Sequence, residues 1–251
     1  MHARKALLPL ATLMIFAFLP VMGQAAGTPH WVHYTWLASK PALPKKVVVL
    51  PVDIEVVEVS AGGVHEEVPD WSKEASQSVF KALSAAIRKQ QGLSELTAPR
   101  FSGPAAANLD EHLALYKLVV NTASRIGWEH KAKRFDYGIG SGLKAIADAT
   151  SADAAIMVYG RDHVSTAGRK ARAVVGHIPF VNIFTGPAPT LGHSFVHIGV
   201  VDLKTGDLLW MNSKYRDGST NLRDPEDAAK MVDEIFAWYP GIEKYRAVYL
   251  K

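Results

Sequence analysis

The 251-residue chain has no cysteine. That absence excludes disulfides, thiolate-ligated zinc and iron–sulfur clusters, and it excludes attachment through a lipid-modified cysteine. Stability must therefore come from a packed core, for which 48% hydrophobic and 21% charged residues are sufficient. A strong excess of one charge is also missing, with 28 Lys and Arg against 24 Asp and Glu. Nucleic-acid binding requires a basic stripe, so no nucleic-acid partner is expected. The nucleophile-elbow, zinc-protease HExxH and Walker phosphate-loop patterns are all absent. No catalytic residue, cofactor or metal ligand is expected from motifs.

The N-terminus has the layout of a secretory signal. Arg4 and Lys5 form a positive start, Ala6 to Met22 is uncharged and apolar, and Gly23, Gln24 and Ala25 supply small residues at an exit. We assign 1–25 as a cleavable signal peptide. The alternative is a retained anchor, because the run approaches a bilayer-spanning length. Without its two basic residues, 28 Lys and Arg become 26 against 24 acidic residues, a net charge of +2. The expected location is the periplasm, with outer-membrane association open. Residues 26–44 form an aromatic, proline-rich N-terminal arm, in which Thr28 to Pro44 reads TPHWVHYTWLASKPALP, and 45–251 a single α/β domain.

Within that domain, Val47 to Leu50 reads as a strand buried on both faces. Pro51 interrupts it, and Ile54, Val56 and Val57 continue it among Asp53, Glu55 and Glu58. Apolar residues four apart predict helix 70–91, with Asp70 as cap. Asn108 and Glu111 are spaced as a capping box for helix 108–126. Asp224 and Pro225 open helix 224–239. Leu93 to Thr97 is a short strand, and Ser194 to Val201 with Asp207 to Lys214 is a hairpin turning at Lys204-Thr205-Gly206.

The stretch Asp136 to Asp162 anchors the domain. Gly138, Gly140 and Gly142 suggest a phosphate loop but lack the preceding strand, so Ser141 is read instead as N-cap of helix 143–150. Ala154 to Gly160 is an apolar strand, and Arg161, Asp162 and His163 follow at its end as a possible polar site. Beyond them, 173–192 is apolar yet broken by Gly176, Pro179, Gly186, Pro187 and Pro189. It reads either as a strap over the core or as a partner surface carrying Ile178, Phe180, Val181, Ile183 and Phe184. His193 and His197, with His177 upstream, are the nearest approach to a metal set. On a strand they lie about 13 Å apart, too far to share one ion.

The succession VVVLPVDI, a helix, SADAAIMVYGRD and HIGVVDLKTGDLLWMNS resembles the curli-secretion lipoprotein CsgG family. It looks closer still to uncharacterised bacterial envelope proteins of the same arrangement. The resemblance covers most of 45–240 and implies a periplasmic α/β domain, often in an oligomer or outer-membrane assembly. The chain departs from that family in lacking the lipidated cysteine, and 173–192 is too rich in proline for membrane strands.

The expected fold is α/β (α+β), a mixed, largely antiparallel sheet flanked by helices. The expected role is a non-enzymatic exported envelope protein acting through binding or assembly. Its partner is expected to be an envelope protein or a second copy, with peripheral membrane contact open. The competing readings are a periplasmic hydrolase using the His/Asp residues of 161–197, and an oligomeric outer-membrane-associated secretion or channel component.

Overall fold

The computed structural model describes residues 30–32, 44–90, 92–130, 135–176, 191–218, 220–237 and 239. In chain order the strands are β1 (His30–Val32), β2 (Lys46–Val49), β3 (Asp53–Val59), β4 (His65–Glu67), β5 (Ser94–Leu96), β6 (Ala154–Ser165), β7 (His193–Asp202) and β8 (Leu208–Asp217). The α-helices are α1 (Pro69–Lys89), α2 (Pro104–His130), α3 (Lys144–Thr150), α4 (Ala167–Gly176) and α5 (Pro225–Phe236).

All eight strands join one mixed sheet, ordered β1-β8-β7-β6-β2-β5, with β3 also on β6 and β4 on β3. The mixed character matches expectation, but the antiparallel emphasis does not describe the core half. There β6 runs parallel to both β2 and β3, and β2 runs parallel to β5. The antiparallel half is β6-β7-β8-β1. Strands buried on both faces read as continuous apolar runs, which is why Val47–Leu50 and Ala154–Tyr159 stood out.

Strands β2 and β3 lie on the same side of β6. Val49 faces Ile156 and Asp53 faces Tyr159, so the chain spends one more residue than β6 across this interval. Pro51, which has no N–H to donate, sits in that bulge. The outer N–H groups of β3 are met by α1: Ser76 Oγ accepts from Ile54 at 3.1 Å and Ser72 Oγ from Val56 at 2.9 Å. Strand β4, which had no sequence signal, pairs the far end of β3.

One face of the sheet packs on α1 and α5, with Val79, Leu83, Ile87, Ile156, Ile198, Trp210 and Phe236 in its core. The other packs on α2 and α3 around Tyr116, Val120, Ile146, Met157 and Met211. Several helix boundaries differ from expectation. Helix α1 starts one residue early because Pro69 takes the first helical position, so Val68 rather than Asp70 is the N-cap. Helix α2 starts at Pro104 and continues past Gly127, so Asn108 and Glu111 are interior residues. A single interior Gly costs only about 1 kcal/mol, too little by itself to end a helix of this length. At α5 the expected cap is present: Asp224 accepts from Glu226 N–H at 2.8 Å and Pro225 follows it.

The glycines of the anchor stretch have a structural task. Gly138 bridges Asp207, Ile139 N–H donates to the Gly206 carbonyl at 2.8 Å, and Leu208 N–H donates to the Tyr137 carbonyl at 2.9 Å. The segment thus clasps the β7–β8 turn. At Gly206, φ is +77° and a Cβ would lie 1.9 Å from the Gly140 oxygen, so only glycine fits. Ser141 starts a 3₁₀ turn, Ser141–Leu143, without capping through its side chain.

Candidate functional site at the carboxyl end of β6

Arg161, Asp162 and His163 do not follow the strand; they are inside it, because β6 continues to Ser165 with β3 on one side and β7 on the other. Successive residues of a strand point to opposite faces, so the three are divided between two layers. Arg161 donates through Nε to Glu55 at 2.8 Å, and its second guanidinium nitrogen also reaches that carboxylate. Lys117 of α2 joins Glu55 from the other side, 3.8 Å from Asp53 and 4.5 Å from the centre of the Tyr159 ring. Burial pushes the Glu55 pKa up, but the bonds from Lys117 and Arg161 outweigh it and hold the group below its ordinary value.

Asp162 is fully buried in the opposite layer. Ser194 Oγ donates to one of its oxygens at 2.7 Å and the Leu222 N–H to the other at 2.9 Å. Burial raises its pKa above the ordinary carboxylate value despite these two bonds. Both oxygens are therefore spent on holding β7 and the 220–224 loop to the strand.

His163 belongs to a row of rings running across the sheet. His65 lies 5.3 Å from it edge-on, His193 4.1 Å on the other side, and Tyr215 5.4 Å beyond His193. Burial, then the neighbouring His193 and Arg161, depress the His163 pKa to about 4, and burial lowers His193 as well. His197 packs separately, against Tyr159 and Phe195, and burial alone holds its pKa at about 4. Among the described residues no group of three or more His, Asp or Glu side chains is arranged to hold a metal ion. His177 lies outside the described residues, as do Ile178, Phe180, Val181, Ile183 and Phe184. Of the apolar loop expected at 173–192, Ala173 to Gly176 form the end of α4.

Where β6 ends, a cleft of about 380 Å³ opens, and Ser165, Lys170, Leu191, Thr220, Asn221 and Arg223 are among its lining residues. In open α/β sheets this is the usual ligand position, outside the carboxyl ends of parallel strands. Gly192 lets β7 begin against β6: a Cβ there would lie 1.7 Å from the His163 oxygen. Ser165 is 6% exposed, and its Oγ has no hydrogen-bond partner. The guanidinium of Arg223 lies 4.1 Å from the centre of the Trp71 ring, and its Nε donates to Asn221 at 2.9 Å. Sequence reasoning missed Ser165, Lys170, Asn221 and Arg223. Ser165 and Lys170 flank the β6–α4 junction and Asn221 and Arg223 precede α5, two stretches that only the fold brings together.

No helix among the described residues is long and apolar enough to cross a membrane. No protein-family model matches the chain, and no curated protein matches it. Among solved structures it is similar to a dodecameric PelC variant from Paraburkholderia phytofirmans, at 12% identity and a TM-score of 0.36, over 84% of this chain and 96% of that one. A second PelC dodecamer from that organism matches at 14% identity and a TM-score of 0.34, over 83% and 95%. Lipoprotein GNA1162 from Neisseria meningitidis matches at 15% identity and a TM-score of 0.27, over 71% and 84%. The similarity is distant, and no residue role or activity of this chain is assigned from it.

Proposed function

We propose that the chain is an exported, non-enzymatic protein of the bacterial envelope that acts by binding at the cleft beyond β6. The observation that carries this reading is the state of Asp162, whose carboxylate oxygens both accept structural hydrogen bonds in full burial. Arg161 is likewise held by Glu55. The polar residues that would serve a hydrolase are used to shape the cleft. Ser165 and His163 do not form a nucleophile–base pair either. Neither Ser165 Oγ nor His163 Nδ1 has a hydrogen-bond partner, whereas a nucleophile and its base must be within hydrogen-bond reach. Export rests on the N-terminal signal pattern. The apolar segment with Ile178, Phe180, Val181, Ile183 and Phe184 is proposed as a companion partner surface on its composition alone.

Photo-crosslinking in intact cells tests the reading. A photoreactive residue replaces Leu191, which is 47% exposed in the cleft, or Phe180, or Lys204 in the exposed β7–β8 turn. Discrete adducts from Leu191 and Phe180, with none from Lys204, support it. Adducts from Lys204 alone, or a chain retained in the cytoplasm, would overturn it.

A further inference from the structure

Ser165 is the starting point. A hydroxyl as deeply buried as this one normally finds a partner, because leaving a buried donor unsatisfied costs stability. Its Oγ has none, and neither has Nδ1 of His163, which also lines the cleft and is 9% exposed. Ser165 stands two residues before α4, and the Thr166 side chain between them accepts the Arg169 N–H at 3.2 Å. A ten-residue helix therefore begins beside the hydroxyl, with its positive end and its first free N–H groups.

Two cations complete the surroundings. Lys170, one turn into α4, lines the cleft, and its ammonium has no ion-pair partner among the described residues. Arg223 also lines it, fixed by Trp71 and Asn221. Only its Nε is used by Asn221, so the remaining donors of its planar fork stay available. The acidic groups bonded to this loop are already occupied. Asp162 accepts the Leu222 N–H, and Asp227 accepts the Asn221 N–H at 2.8 Å. The cleft thus offers donors and positive charge, while the carboxylates of Asp162 and Asp227 each accept a backbone N–H of its loop.

We propose that this cleft binds a compact oxyanion of the phosphate or carboxylate type, held by Ser165, Lys170 and Arg223 at the first turn of α4. The inference rests on the cleft reading above and names the chemistry of its ligand. An oxyanion would supply the acceptor that Ser165 lacks, and charge-assisted bonds from Lys170 and Arg223 suit it better than a neutral group.

Calorimetric titration of the purified full chain with inorganic phosphate, and separately with acetate, at constant ionic strength tests this. Saturable binding of one or both is expected, and which one binds identifies the oxyanion. Lys170→Ala and Ser165→Ala should each weaken it on the order of tenfold, the worth of one charge-assisted bond. Lys144→Ala should change nothing, since Lys144 is an exposed residue paired with Asp148. Lys170 is exposed, so its variant tests the idea even if Ser165→Ala folds poorly. If neither anion saturates, Ser165 is satisfied by water and the proposal fails. It fails equally if both variants bind like the wild type. Continued crosslinking from Leu191 in that event would leave the binding reading intact and remove only the anion chemistry.

Discussion

Acid should destabilise this fold through His197, and the size of the effect can be worked from its surroundings. The side chain is 6% exposed, against the rings of Tyr159 and Phe195, and its pKa is held at about 4 against an ordinary value of 6.5. In the unfolded chain the imidazole takes up its proton near pH 6.5; in the folded chain it stays neutral until about pH 4. Between those limits the unfolded state binds more protons, so stability is complete above the unfolded value and falls as pH falls through the window. One such group changes stability by up to about 1.4 kcal/mol per pH unit, or about 3 kcal/mol over the whole interval. That is a large share of the 5–15 kcal/mol typical of a domain. His197→Phe keeps a ring against Tyr159 and Phe195 and gives up only a long 3.4 Å contact with Ser124. Urea unfolding followed by the fluorescence of tryptophan, including the fully buried Trp210, should show the wild type losing stability from pH 6.5 to 4 more steeply than the variant. His163 acts in the same direction and Asp162, whose folded pKa is raised, in the opposite one. Both are common to the two proteins, so the difference isolates His197. Parallel pH profiles for the two proteins would refute the argument.

Two further substitutions probe the frame of the cleft. Asp162→Asn presents an amide where two donors now meet a carboxylate, and leaving one of them unsatisfied in a buried site should cost about 1–3 kcal/mol, read as a lower urea midpoint. An unchanged midpoint would mean that the 220–224 loop is held by other contacts. Gly192→Ala places a Cβ against backbone 1.7 Å away and should destabilise by about 1–3 kcal/mol, detected by thermal unfolding; a variant as stable as the wild type would show that β7 can begin elsewhere.

The core was legible wherever burial alone decides the residue type. Val47–Leu50 and Ala154–Tyr159 are apolar because neighbours cover both faces, and the Asp224-Pro225 start of α5 is a local rule that nothing overrides. The end of β6 was misread because a charged residue is ordinarily a sign of leaving the core. Asp162 is buried only because Ser194 and Leu222, 32 and 60 residues away, come to it. A partner at that separation leaves no trace in local periodicity. Helix α2 likewise continues past Gly127, although a glycine after a periodic run ordinarily marks a helix end.

The charges of β6 and those of the cleft differ in kind, and the difference follows from pairing. Arg161 and Asp162 face opposite layers, where a lone charge would be costly, so each is matched: Arg161 by Glu55, Asp162 by a hydroxyl and a backbone N–H. Their substitution should therefore act first on folding. Lys170 is exposed and can remain unpaired at little cost, so nothing in the fold requires its charge. Ser165 is the reverse case, a buried group left without the partner that burial ordinarily demands. A residue dispensable for folding beside one that is incompletely satisfied is the combination expected where the missing partner is a ligand. For that reason the functional weight shifts from Arg161 and Asp162, which the sequence singled out, to the end of the same strand and the first turn of α4.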